Sequence, residues 1–239
     1  MDPGLDRPPI IIGGCGRSGT SLLLSVLSAL PGILAIPHET EAFCPTAWGP
    51  QLDLNAPFET KRIEDYLASR QRPASNRRWC EKSPKNILFF GRILAHFKGD
   101  VRLINIVRDG RDVITSYHPT RRREKPWVSP ERWIGDVSAG LEFDDHPQVH
   151  LVRYEDLILN FESTLRGLCR FLEEEFPRDF LSWRQRATVR RHVAWPGQVQ
   201  NLHQRSIGRW QDPAHQDLVA DFLARPQALN LLRHYGYLD

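Results

Sequence analysis

Lysine is scarce in this chain. Only Lys61, Lys82, Lys85, Lys98 and Lys125 stand among its 32 basic residues, and the rest are arginine. Methionine occurs once, and the four cysteines are Cys15, Cys44, Cys80 and Cys169. No C-x-x-C pair is present and no histidine spacing completes a zinc site, so neither a disulfide framework nor a metal centre is expected. A reduced interior fits these cysteines best. No apolar run reaches the ~18 residues of a membrane span. The longest candidate, Leu22 to Ile36, is broken by Ser25, Ser28, Pro31 and Gly32. The start, Met1-Asp-Pro-Gly-Leu-Asp-Arg, lacks the basic-then-apolar order of a signal peptide, and a cytoplasmic location is the expectation. Repeats and low-complexity tracts are absent. A net charge of +3 is too mild to argue for nucleic acid or a membrane surface as partner.

What is present is ordinary for a globular protein: 239 residues, 41% hydrophobic and 26% charged. One domain spanning residues 1–239 is expected. The arginine excess could be codon usage, or it could serve anion binding, because guanidinium forks onto phosphate and sulfate oxygens. Position has to decide.

Short β-branched runs alternate with helical stretches. Ile10 to Ile12, Ile33 to Ile36, Val101 to Val107 and His150 to Arg153 read as strands; Arg78 to Glu81 reads as an edge or short strand. Thr20 to Leu30, Phe58 to Arg70, Asn86 to Phe97, Asp109 to Tyr117 and Phe161 to Glu175 read as helices. Arg121 to Pro130 and Val193 to Arg209 read as loops. The alternation predicts an α/β three-layer sandwich, a parallel sheet flanked by helices with right-handed crossovers.

Two strand-to-helix junctions carry chemistry. Gly13-Gly14-Cys15-Gly16-Arg17-Ser18-Gly19-Thr20-Ser21 joins the first strand to a helix. Glycines there let backbone N–H groups wrap an anion, and the helix dipole favours its charge. A capped βα turn is the bland alternative. The lysine of a nucleoside-triphosphate loop is missing, because Thr20 stands after Gly19. Arg17 supplies the cation instead. The second junction is Val107-Arg108-Asp109-Gly110-Arg111-Asp112, followed by Ser116. Arg108 ends a strand, at the edge where open α/β sheets bind ligands. Asp109 and Asp112 could cap the helix or pair with Arg111. Two anion-seeking strand ends point to a ligand with two separated phosphate groups.

These residues resemble the sulfotransferase family that uses 3′-phosphoadenosine 5′-phosphosulfate (PAPS) and releases 3′,5′-adenosine bisphosphate (PAP). Gly14 to Ser21 looks like that family's 5′-phosphosulfate loop, and Val107 to Asp112 with Ser116 looks like its 3′-phosphate motif. Val152-Arg153-Tyr154-Glu155-Asp156 resembles a segment whose tyrosine lies by the nucleotide. Ser206-Ile207-Gly208-Arg209-Trp210 resembles the late loop that closes over the cofactor with a basic residue, here within about residues 193–210. Tyr154 and Trp210 could equally be core aromatics. The resemblance runs from about Ile10 to Trp210. It implies metal-independent, in-line sulfuryl transfer to a hydroxyl, with Gly16, Arg17, Ser18, Gly19, Thr20, Ser21, Arg108, Ser116, Tyr154, Ser206 and Arg209 holding the nucleotide.

The same resemblance assigns the chemistry. Some branches, tyrosylprotein sulfotransferases among them, place a catalytic Glu before Thr, and Glu39-Thr40 matches, with the spacing from Arg17 displaced by one residue. His38 and Glu41 are the competing bases. Another branch uses a His two residues after a Lys; here Pro84 occupies that place after Lys82. Lys82 matches the family lysine near the bridging oxygen, so Glu39, Lys82 and Arg17 are the candidate catalytic set. A nucleotide kinase and a non-catalytic nucleotide-binding protein are the alternatives. The acceptor stays open among carbohydrate, peptide, lipid and small alcohol. Arg121 to Lys125 and Arg190-Arg191 could recruit an acidic acceptor, help hold the 3′-phosphate or be solvated charge. Phe43, Trp48, Phe58, Trp127 and Trp133 could line a cleft, with core packing the default. The oligomeric state is not legible.

Overall fold

The computed structural model describes residues 5–47, 51–71, 73–117, 126–191 and 197–239. Five parallel strands form one sheet: β1 (Ile10–Gly14), β2 (Ile33–Ala35), β3 (Arg78–Lys82), β4 (Arg102–Val107) and β5 (Val149–Arg153), in the order β2-β3-β1-β4-β5. β1 is central, and the chain leaves it to build on both sides. All carboxyl ends therefore meet at one edge, with β1 between the ends of β3 and β4. In register, Ile12 stands beside Lys82, and Gly14 beside Ile106.

The strands alternate their side chains between two faces. Ile10, Ile12, Ile104 and Ile106 pack with α1 (Thr20–Leu27) and, later in the chain, α6 (Tyr154–Leu159) and α7 (Phe161–Leu172). Ile11 and Leu103 face the other way, onto a 3-10 turn (Pro84–Phe89) that runs into α3 (Phe90–His96), and onto Phe43. A third cluster beyond the sheet edge joins α4 (Gly110–Ile114) and α5 (Pro130–Leu141) to α9 (Gln216–Leu223) and α10 (Pro226–His234). The remaining helices are α2 (Lys61–Ala68) and α8 (Trp183–Arg186). The layered α/β architecture agrees with expectation. No helix among the described residues is long and apolar enough to cross a membrane.

β3 departs from the reading of an edge strand: it pairs with both β2 and β1. Its sequence misleads because an inner parallel strand is ordinarily a continuous apolar run. Here Arg78, Glu81 and Lys82 are buried charges with partners, Arg78 on Glu174 at 3.3 Å. Helix ends also move. α1 stops at Leu27, where Ser28 turns its hydroxyl back to the Ser25 carbonyl at 2.7 Å. α7 stops at Leu172, because Glu173 takes a left-handed conformation with φ of 57°. The stretch from Asn86 begins as a 3-10 turn, and α4 ends at Ile114 rather than Tyr117. α5, α6, α9 and α10 have no counterpart in the sequence expectations.

The four cysteines are free and buried. Burial holds every thiol above its ordinary pKa, Cys169 to about 11. A buried, protonated thiol is a poor nucleophile. Native protein titrated with a disulfide reagent is therefore expected to show no rapidly reacting thiol, and denatured protein four. A fast native thiol would place one of these side chains at the surface.

Candidate active site

The phosphate-type loop follows β1. Arg17 holds a left-handed φ of 68° and Gly19 a φ of 94°, so the chain coils tightly before α1. A Cβ on Gly19 would collide with the Tyr154 ring, and one on Gly16 would lie 2.9 Å from an Arg132 nitrogen. Side chains crowd this loop from outside while its backbone turns inward. Ser18, Thr20 and Ser21 are buried.

Arg108, at the end of β4, gathers the elements around that loop. It donates to the Arg17 carbonyl at 3.0 Å and to the Ser206 carbonyl. Its guanidinium lies 4.6 Å from the centre of the Tyr154 ring. Trp133 fixes the Arg108 backbone, donating from its indole to the Arg108 carbonyl at 3.3 Å. Burial, and then the charges of Arg108 and Arg209, push the Arg17 guanidinium below its ordinary pKa. Three cations thus share one corner. The nearest carboxylate to Arg108, Asp112 at 3.7 Å, is already occupied by the backbone N–H groups of Gly208 at 2.9 Å and Trp210 at 3.1 Å. Among the described residues, Nε of Arg17, Nε of Arg108 and Oγ of Ser18 are buried with no hydrogen-bond partner. Buried donors of this kind are costly unless something accepts from them.

The late loop is latched here as well. Trp210 lies 4.1 Å under the Arg111 guanidinium, which is bound to Asp109 at 2.7 Å. Asp109 also caps α4, accepting from the Arg111 N–H. Ser206 meets Arg108 through its carbonyl, and Arg209 is exposed. Ser116 lies just past α4, and its hydroxyl proton goes to the Asp112 carbonyl at 2.6 Å. Residues 192–196 of the expected closing loop lie outside the described residues.

On the other side of β1, the Lys82 ammonium meets the Glu39 carboxylate at 2.5 Å. Lys82 is fully buried, and Glu39 keeps 27% of its side chain exposed. Burial lowers the Lys82 pKa, and the charge and hydrogen bond of Glu39 oppose this. His38 packs edge-on against Tyr66 at 5.3 Å, and Glu41 takes a left-handed φ of 54° with its N–H on Ser83.

Two acids organise the site in ways the sequence did not announce: Asp112, expected to cap the helix or pair with Arg111, binds the late loop instead, and Glu81 was left unassigned. Glu81 is fully buried and accepts from the Thr40 N–H and hydroxyl, the Ser83 hydroxyl and the Asn86 amide. A carboxylate inside a strand that pairs on both sides was the available signal. Several aromatics resolve as packing. Phe43 and Trp133 are fully buried, and Phe58 stacks edge-on with Phe43 at 5.2 Å. Trp127 is partly buried against the third cluster, and Trp48 and Arg121 to Lys125 lie outside the described residues. Arg190 donates to the Ala187 and Gln185 carbonyls, while Arg191 is exposed.

Residues 8–178 match the profile of the sulfotransferase family, well over half of the chain. The chain belongs to the sulfotransferase family. The phosphate-type loop, Glu39, Lys82, Arg108 and Tyr154 of this sulfotransferase fall inside the matched segment, and Ser206 and Arg209 lie beyond it. No curated protein sequence matches it. Its fold is similar to the sulfotransferase domain of the curacin biosynthetic pathway, 19% identical with a TM-score of 0.65 over 97% of this chain and 98% of that one. The sulfotransferase domain of the Synechococcus PCC 7002 olefin synthase gives 19% identity and a TM-score of 0.66 over 100% and 98%. A mouse sulfotransferase complexed with PAP gives 15% identity and a TM-score of 0.60 over 97% and 88%. At these identities the likeness establishes the fold.

Gly19→Ala tests the tight loop. The left-handed backbone and the Tyr154 contact together should cost about 1–3 kcal/mol. For a chain this long that is roughly 2–4 °C of Tm per kcal/mol. An unchanged thermal melt would mean that the loop and Tyr154 separate freely.

Proposed function

We propose that this sulfotransferase moves the sulfuryl group of PAPS to a hydroxyl acceptor, in line and without a metal, with Glu39 as general base. The observation that carries the reading is the buried Arg108 guanidinium, which reaches the Arg17 carbonyl of the phosphate-type loop and the Ser206 carbonyl of the late loop. The buried, unpartnered donors of Arg17, Arg108 and Ser18 belong to a site built for an anion with more than one charged group. A side chain at Gly19 would collide with the Tyr154 ring, so glycine there keeps the loop tight against that aromatic. A structural neighbour solved with PAP supports the choice of nucleotide.

In this reading the backbone of Gly16, Ser18, Gly19, Thr20 and Ser21, with the Arg17 guanidinium, holds the 5′ end. Arg108, Ser116, Ser206 and Arg209 hold the 3′-phosphate, and Tyr154 lies alongside. The described loop from Gly197 to Trp210, latched on Asp112, closes that end. Residues 1–239 act as one domain. Bound there, PAPS supplies an activated sulfuryl group.

The chain's own residues do the rest. Glu39 keeps 27% of its side chain exposed, and its carboxylate takes the acceptor hydroxyl proton. The fully buried Lys82 presents a cation beside that carboxylate. Arg17 meets charge on the departing phosphate. A positioned base contributes about 10²–10⁴-fold, and fixed charge often contributes more. The acceptor is a sugar, peptide, lipid or small alcohol. Four free, buried cysteines suit a reducing cytoplasm.

Calorimetry with PAP in metal-free buffer, beside ATP with magnesium, tests the site. Tight metal-independent PAP binding is expected. Arg108→Ala should weaken it roughly 10- to 100-fold, from the ~1.5–3 kcal/mol of a charged hydrogen bond. Preference for magnesium-ATP, with Arg108→Ala without effect, would favour a nucleotide kinase and sink the proposal.

Turnover on a panel of sugar, peptide, lipid and alcohol acceptors tests the base. Glu39→Gln should keep PAP affinity and lose about 10²–10⁴-fold in kcat. Retained turnover would remove Glu39 from that role.

A further inference from the structure

Glu81 sits one residue before Lys82 and faces no cation at hydrogen-bond distance. Its Oε1 accepts from the Thr40 N–H at 3.2 Å, the Thr40 hydroxyl at 2.9 Å and the Ser83 hydroxyl at 2.6 Å. Its Oε2 accepts from the Asn86 amide at 2.7 Å. Each of these donors leads onward. The Thr40 hydroxyl accepts from the Ala42 N–H at 3.2 Å, and the Ser83 hydroxyl accepts from the Glu41 N–H at 3.0 Å. The Asn86 amide also donates to the Ile12 carbonyl at 3.2 Å, in the strand that runs into the phosphate-type loop. From α2, Arg62 grips the Thr40 carbonyl at 2.9 Å.

Both Thr40 and Ser83 border the pair under discussion, since Thr40 follows Glu39 and Ser83 follows Lys82. We propose that Glu81 is a positioning residue: its buried carboxylate bolts the Thr40 segment to the end of β3 and so sets the Glu39–Lys82 contact. The inference rests on the reading of those two residues as the reacting pair, and it adds a residue that meets neither nucleotide nor acceptor.

The choice of side chain follows from counting donors. Four N–H or O–H groups point at Glu81, and only a carboxylate has acceptor sites for all four. A glutamine of the same shape must aim its own NH2 at one of them. Rotating the Asn86 amide to receive that NH2 would turn its oxygen against the Ile12 carbonyl. Burying a charge with neutral partners alone is expensive, and a position that needed only to be filled would be cheaper with an apolar residue. The cost is intelligible if the carboxylate fixes three strand ends relative to one another.

The scarcity of lysine provides the readout. Protein labelled biosynthetically with 13C-lysine has five lysines, so it gives five Cε–Hε signals, and the Lys82 signal is identified by its loss in Lys82→Arg. Glu39→Gln defines where that signal moves when the ion pair is lost. Glu81→Gln and Thr40→Val should each move it more than half of that distance. Thr40→Ser, which keeps the hydroxyl, should leave it at the wild-type position. Thr40→Val keeps the Glu81 side chain in place and removes one of its donors, so it tests the brace without replacing the carboxylate. It also serves if Glu81→Gln fails to fold. A Lys82 signal unmoved in folded Thr40→Val, or moved equally in Thr40→Ser, would overturn the proposal.

PAP affinity, read by calorimetry on the same variants, should stay within about threefold of wild type. A tenfold loss in Thr40→Val would mean general disruption rather than positioning, and would also overturn it. If wild-type protein does not bind PAP, the proposed function fails while the Lys82 shifts still decide the geometry.

Discussion

A buried guanidinium at the end of β4 is the point on which the carboxyl edge of the sheet depends. Arg108 emerges beside the central strand, and parallel topology brings the loops after β1, β4 and β5 within its reach. It takes one carbonyl from the phosphate-type loop and one from the late loop, and it rests on Tyr154 from the β5–α6 junction. Asp112, whose carboxylate lies 3.7 Å from that guanidinium, also accepts two backbone N–H groups of the late loop, so one buried acid serves both the cation and the loop.

The two sides of β1 divide the chemistry. On the β4 side the groups are cations and backbone donors, which suit a doubly anionic nucleotide. On the β3 side stand a carboxylate and an ammonium in contact, with Glu39 partly exposed and Lys82 fully enclosed. A base needs solvent or acceptor access, and a cation that stabilises developing charge gains from a low dielectric. Burial distributes these demands between the two residues. Two further acids, Glu81 on the β3 side and Asp112 on the β4 side, meet mainly neutral donors and serve as fixed points for the backbone.

Local pattern made much of this legible. Three of the strands are β-branched runs ending at glycine or arginine, and their alternation with helices forces a parallel sheet. The phosphate-type loop and the Arg108 motif declared themselves through glycine, arginine and hydroxyl residues at strand-to-helix junctions. β3 was harder, because its burial rests on pairs such as Arg78–Glu174 that span much of the chain. Glu81 was hidden for a related reason. Its partners are Thr40, 41 residues away, and near neighbours whose side chains converge only once the strand end is formed. Asp112 looked like a helix cap, whereas Asp109 caps α4 and Asp112 turns to the late loop. α9 and α10 pack on a cluster formed with α4 and α5, and no short-range pattern announces that burial.

Glu39 and Lys82 were candidates through the family resemblance; the sequence by itself announced the fold class and the two strand-to-helix junctions that carry Arg17 and Arg108. Those signals are local: strand period, glycine placement and the residue types at the junctions. Only the tertiary structure decided which charges are opposed. Arg17, Arg108 and Arg209 converge, Lys82 finds Glu39, and Asp112 and Glu81 bind backbone and hydroxyl donors. Charge compensation depends on distances between strand ends, and strand order sets those distances, which no spacing along the chain encodes.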